Sequence, residues 1–206
     1  WSDVLSTIAA NAKAGHKDYS YTIILLDDYD INGAFKMPAA NTYSDITFTS
    51  KNGEAAKTLS FTGNITLTGP TTFGNIKLDS RKKVNNELRS VEFTIAAGRN
   101  TLYLGDVDAN IKSVTSSTIV TLQNVIVGTL TANVVVVRAD ETATLSAMGA
   151  AWDGKTAPKT TVNITGNLTA KTLLVMNGRS SLSVGGIINA GGIYGYGNAV
   201  LVVKQQ

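Results

Sequence analysis

Hydrophobic and polar positions follow two different periods along this 206-residue chain. At the start, Leu5, Ile8, Ala9 and Ala12 recur at helical spacing behind Ser2, a candidate N-cap, and Asp3, an acid suited to a first helical turn. Gly15 stands where such a helix should stop, so residues 3–14 are predicted as helix. From Tyr21 onward the period becomes two. Short strands are predicted at 21–26, 46–49, 59–62, 65–68, 76–78, 91–95, 102–104, 119–122, 125–127 and 134–137. Beyond a polar interruption they resume at 162–164, 173–175, 182–184 and 200–203.

The joints between these strands carry the topology. A hairpin favours Asn-Gly or Asp-Gly between its strands. This chain instead repeats a small or polar residue, then Asn, then an apolar residue. Examples are Gly63-Asn64-Ile65, Gly74-Asn75-Ile76, Ala109-Asn110-Ile111, Gln123-Asn124-Val125, Ala132-Asn133-Val134, Gly166-Asn167-Leu168 and Gly197-Asn198-Ala199. Asn tolerates the left-handed backbone region, and one such residue turns a strand through a corner without reversing it. Repeated bends without reversals build a coil. Strands grouped in threes give about seven rungs, beginning near Ile23, Leu59, Phe93, Ile119, Leu145, Leu174 and Ile193. In that register Asn75, Asn110, Asn133 and Asn167 precede the third strand of their rungs and are expected to stack along one edge. The expected fold is all-β: a capping helix in residues 1–16 and one parallel β-helix over 17–206.

Two stretches resemble a known family. Trp1-Ser2-Asp3-Val4-Leu5 with Ile8-Ala9, followed by Tyr21-Thr22-Ile23-Ile24-Leu25-Leu26-Asp27-Asp28-Tyr29, is similar to the opening of β-helix modules in Gram-positive surface proteins. Leu59 to Thr68 resembles the interior coils of those modules. The resemblance implies a right-handed helix of the pectate-lyase-like class, with the leading helix capping the open end of the solenoid.

Composition narrows the function classes. Charged residues make up 16% of the chain, against about 25% in a typical protein, so Thr, Asn, Ser and Gly must keep the surface wet. The net charge of +3 comes without a basic cluster beyond Arg81-Lys82-Lys83, which argues against a nucleic-acid partner. With no cysteine there is no disulfide framework and no thiolate metal site. No apolar run reaches the roughly 18 residues of a membrane-spanning helix, so membrane insertion is not expected. A chain opening on Trp1 is expected to have lost a leader, and the bare strand at 200–203 is expected to continue into further domains. The expected location is therefore secreted or on a bacterial cell surface, with glycans or other surface proteins as partners and no cofactor.

Chemistry-bearing candidates are few. Asp106, Asp108 and Asn110 alternate and would form an oxygen-rich row suited to a hard cation. Against a calcium loop, Ile111 stands where the required Gly would be, and a solvated turn explains the same residues. His16 is the sole histidine and follows the helix stop, which excludes a multi-histidine metal site. The Gly-rich stretch from Gly185 to Gly197 lacks the Lys and the following helix of a phosphate loop, and close turns between rungs explain it. Tyr194 and Tyr196 have strand spacing, and Trp152 lies in the polar interruption; exposed rings of this kind are platforms for sugars or proteins. Packing of all three within the fold is the competing reading. The expectation is a non-enzymatic solenoid acting as spacer or adhesive surface. The alternative is a carbohydrate-active β-helix, either a polysaccharide lyase or hydrolase using Asp106 and Asp108, or a glycan binder.

Overall fold

A computed structural model of the chain describes residues 1–33, 35–138, 160–176, 179–196 and 199–204. Trp152 and Leu145 lie outside the described residues. Among the described residues the chain is mostly β, with 59% strand and one helix, and its parallel sheet curls in a solenoid-like fold. Helix α1 (Ser2–Lys13) is followed by β1 (Ser20–Leu25), β2 (Tyr29–Asp30), β3 (Asp45–Ser50), β4 (Lys57–Phe61) and β5 (Ile65–Thr66). Next come β6 (Thr71–Val84), β7 (Glu87–Ser90), β8 (Phe93–Gly98), β9 (Leu102–Asp108), β10 (Ile111–Ser116) and β11 (Ile119–Gln123). The order closes with β12 (Ile126–Val137), β13 (Thr160–Ile164), β14 (Leu168–Met176), β15 (Ser180–Val184), β16 (Ile188–Ala190), β17 (Ile193–Gly195) and β18 (Val200–Val203).

The strands pair in three parallel ladders. In the first, β1, β3, the start of β6, β9, β11, the end of β12, the end of β14 and β17 lie side by side. The second ladder joins β2, β4, the middle of β6 and the end of β9, and farther along the start of β12, β13, β15 and β18. The third runs β5, β8, β10, β12, the start of β14 and β16.

Stacked strands repeat every 4.7–4.9 Å or so, and only an identical inward pattern in each pass can then fill one continuous core. The register provides it. Ile23, Phe48, Phe73, Leu104, Leu122, Val137 and Met176 stand one above another in the first ladder. Ile65, Ile95, Val114, Leu130, Leu168 and Ile188 do so in the third. The end of this core nearest α1 is aromatic: Phe48 stacks on Phe73 at 5.2 Å, and Phe61 meets Phe93 edge-on at 5.1 Å. Trp1 stacks against Phe35 at 5.7 Å and continues the cluster to the helix.

Helix α1 forms close to where the pattern predicts. Asp3 in the first turn and Lys13 in the last complement the helix dipole. Trp1 rather than Ser2 occupies the N-cap position, without a side-chain capping bond. At the other end Gly15 adopts φ +97°, and the amides of Gly15 and His16 donate to the carbonyls of Ala12 and Asn11, a Schellman closure. Ile8 and Ala12 are buried, Val4 packs against the core, and Leu5 is only half-buried.

Other departures have local causes. β10 went unpredicted because the ladder slips between Ile111 and Ser113, which sets Ile111 and Val114 three residues apart and hides the period of two. Arg81 to Ser90, for which no strand pairing is expected from the sequence, forms an antiparallel hairpin. Its Asn85-Asn86 turn has φ of +53° and +64°, the two left-handed residues that a tight hairpin needs. The stack of Asn75, Asn110, Asn133 and Asn167 does not form. Asn75 turns the chain from the first ladder to the second, Asn110 and Asn167 from the second to the third, and Asn133 from the third to the first. Passes are unequal in length, so grouping strands in threes slid the register. Ile23, Ile119, Leu174 and Ile193 do fall in the first ladder, whereas Leu59 and Phe93 fall in the second and third.

Glycines mark the corner where the later passes approach most closely. A Cβ on Gly128 would lie 2.1 Å from the Lys112 carbonyl oxygen, and one on Gly185 2.2 Å from that of Thr165. Gly128→Ala should lower stability by about 1–3 kcal/mol, the usual cost of overpacking, read as a shift in the denaturation midpoint. Ile8→Ala should cost about 2–5 kcal/mol, as expected for a fully buried side chain, and Leu5→Ala clearly less. Equal losses at positions 5 and 8 would contradict this seating of the helix.

Candidate functional site

A row of polar residues lies at the turn from the first ladder to the second. Asn75, Asp106 and Asn124 have φ of +47°, +51° and +46°, and the register stacks them in successive passes. Asn124 Nδ2 donates to Asp106 Oδ1 at 2.7 Å, and Asn124 Oδ1 accepts the Thr161 amide at 2.9 Å. A polar ladder therefore exists, at a different corner from the expected one and with an aspartate as one member. Strict alternation gives no sign of it, because the left-handed φ of Asp106 depends on the corner it turns.

That conformation alters the candidate cation row. A left-handed Asp106 interrupts the alternation that was to align Asp106, Asp108 and Asn110. Asp106 is bound to Asn124, Asp108 lies beside Lys77 in the second ladder, and Asn110 sits past the end of β9 with its carbonyl accepting the Phe93 amide at 3.3 Å. Among the described residues no group of three or more His, Cys, Asp or Glu is placed to hold a metal ion.

The other expected corner residues also serve backbone groups. Asn167 Oδ1 accepts the Ile187 amide at 2.9 Å, and Asn133 Nδ2 donates to the Ser117 carbonyl. Asn64 Oδ1 takes the Thr94 amide at 3.1 Å in the same manner. These amides satisfy peptide groups that the ladders leave over at each bend.

Tyr194 is 51% exposed and stands beside Val175 on the outer face of the first ladder; Tyr196 is half-buried, and its amide donates to the Met176 carbonyl. The same outer face carries Thr22, Thr47, Thr72, Tyr103 and Thr121 in successive passes. Arg138 lies 4.9 Å above the Tyr103 ring, whose hydroxyl donates to the buried Gln123. A shallow cavity of about 340 Å³ lies here, lined by Thr72, Tyr103, Thr121 and Arg138 among others. Tyr103 and Arg138 are too far apart in sequence for spacing to have paired them.

A charged cluster ties the hairpin to the sheet. Arg81 Nε donates to Asp79 at 2.8 Å, Ser90 donates to the same carboxylate at 2.6 Å, and Asp30 lies 3.5 Å from Arg81. Burial pushes the Asp79 carboxyl up, but the bonds from Arg81 and Ser90 and the Arg81 charge bring it below its ordinary value. Asp28 is also lowered, chiefly by the Thr58 amide it accepts at 2.7 Å. Among the described residues no helix is long and apolar enough to cross a membrane. Comparison with known proteins finds no matching family model, no matching curated protein and no matching solved structure.

Two outcomes follow. Asn124→Ala should destabilise by about 2–3 kcal/mol, combining roughly 1–2 for the left-handed backbone with about 1 for lost hydrogen bonding, and Asn124→Gly should recover the backbone part. Chemical denaturation of both variants checks it. Because the Asp79 pKa is depressed in the folded state, its contribution is present above the unfolded value of 3.8 and is lost as pH falls through the lower folded value. Asp79→Asn should therefore flatten the acid limb of a stability–pH profile.

Proposed function

We propose that the chain is a non-enzymatic solenoid module of a secreted or cell-surface bacterial protein, acting as a spacer or adhesive surface. In this reading the three ladders close into a right-handed parallel β-helix of about seven rungs, capped by α1. The observation that carries it is the inward column from Ile23 to Met176, which spends one face of every pass on a continuous core. Asn64, Asp106, Asn124 and Asn167 give their oxygens to hydrogen bonds between passes, a structural use for the polar groups that a catalytic site would otherwise employ. The resemblance of the opening and of Leu59–Thr68 to Gram-positive surface modules supports the location.

Glycan binding is the second reading, favoured by the exposed Tyr194 ring on the outer face of the first ladder, whose passes nearer α1 carry the outward Thr22, Thr47 and Thr72. Incubation with acidic and neutral polysaccharides, with and without calcium, separates these readings from an enzyme. No new reducing or unsaturated ends should form. Cleavage that disappears in Asp106→Asn and Asp108→Asn would replace the scaffold with a polysaccharide lyase or hydrolase. On a glycan array, retention abolished by Tyr194→Ala in a folded variant would select the second reading.

A further inference from the structure

The end of the sheet under α1 carries a cleft with the features of a strand-accepting groove. β1 pairs with β3 along one edge only, and among the described residues no strand occupies its other edge. Two cavities of about 340 and 390 Å³ lie along β1, and both are lined by Val4 of the helix and by Ile23 and Ile24 of the strand. The shared residues set the two cavities next to each other between the helix and β1. Their floor is apolar through Trp1, Val4 and Ile23. At one end Ile24 and Leu26 remain 51% and 66% exposed.

Charge selects the occupant. The titratable side chains lining the two cavities are Asp3, Tyr21, Asp27, Asp28 and Tyr29, with no Lys or Arg; the one cation is the Trp1 ammonium, which donates to the Tyr29 hydroxyl, so three carboxylates outweigh it. Asp28 is held ionised by the Thr58 amide, and nearby Lys57 and Lys77 lower its pKa further without lining the cleft. An unpaired strand edge supplies backbone donors and acceptors, an apolar floor accepts alternate side chains, and an acidic rim favours cations. We infer that this groove binds an extended peptide segment of a partner protein, one alternating apolar and basic residues, which adds to β1 as a further strand. The proposal stands apart from the scaffold reading, because the groove depends on α1 and β1 and not on what the outer faces do.

The test uses a fluorescein-labelled ten-residue peptide alternating valine with lysine, titrated with the whole chain and followed by anisotropy. Saturable binding is expected, with slowed amide deuterium exchange across residues 20–25. Asp27→Asn with Asp28→Asn should weaken binding about three- to tenfold, as expected for two exposed ion pairs, and Leu26→Ser should weaken it with the fold retained by circular dichroism. A peptide N-methylated at alternate residues should fail, since it cannot continue the ladder. Equal binding of a valine–glutamate peptide would overturn the charge assignment. Binding without protection of 20–25, binding of the N-methylated peptide, or dimers formed through β1 in sedimentation would each overturn strand addition by a partner peptide.

Discussion

The structure depends on in-register parallel stacking. Strands a little under 5 Å apart leave no room for a pass whose inward residues are out of phase, because a slip of one residue exchanges the core face for the solvent face. Phe48 over Phe73, Leu104 over Leu122 and Val137 over Met176 satisfy this in one ladder, and Ile95, Val114, Leu130 and Leu168 satisfy it in another. The chain meets the constraint with variable passes. Extra length is placed at corners, as in the hairpin from Arg81 to Ser90, and the core positions resume in phase afterwards.

Corners are where the constraint is hardest to meet, and two solutions appear there. Left-handed Asn75, Asp106 and Asn124 bend the strand, and Asn124 bonds to Asp106 across passes. Gly128, Gly166 and Gly186 permit backbone contact that a Cβ would prevent, with Gly166 donating to the Gly128 carbonyl at 2.7 Å and Gly186 to the Gly166 carbonyl at 2.9 Å. At the helix end the opening is filled by aromatic rings and α1, where Ile8 is 1% exposed. The far end differs. Ile193 and Val203 continue inward columns from Leu174 and Val184 yet remain 55% and 52% exposed.

Much of this was legible in the sequence. The change from helical to alternating period at Tyr21, the Gly15 stop, and the preference for bends over reversals all follow from residue types whose backbone behaviour is local. Phase was less legible. Ile111-Lys-Ser-Val114 conceals a strand because a bulge breaks its alternation, and Val134–Val137 read as the end of one rung although it begins another pass. Asn also serves two purposes. At 75 and 124 it adopts the left-handed corner, whereas at 64 and 167 it mainly supplies a side-chain oxygen to the next pass, and the same triplet encodes both. The α1–β1 groove and the Arg138–Tyr103 pair had no sequence signal, since each depends on packing between distant segments.

The absence of cysteine allows clean spin labelling in pairs. Thr22, Thr121 and Tyr194 stand on the outer face of the first ladder, with Thr121 four steps and Tyr194 seven steps from Thr22. At about 4.8 Å per step, double electron–electron resonance on cysteine pairs 22/121 and 22/194 should give distances near 19 and 34 Å, in a ratio of about four to seven. A distance for 22/194 equal to or shorter than that for 22/121 would contradict stacked parallel passes and point to strands folded back on themselves.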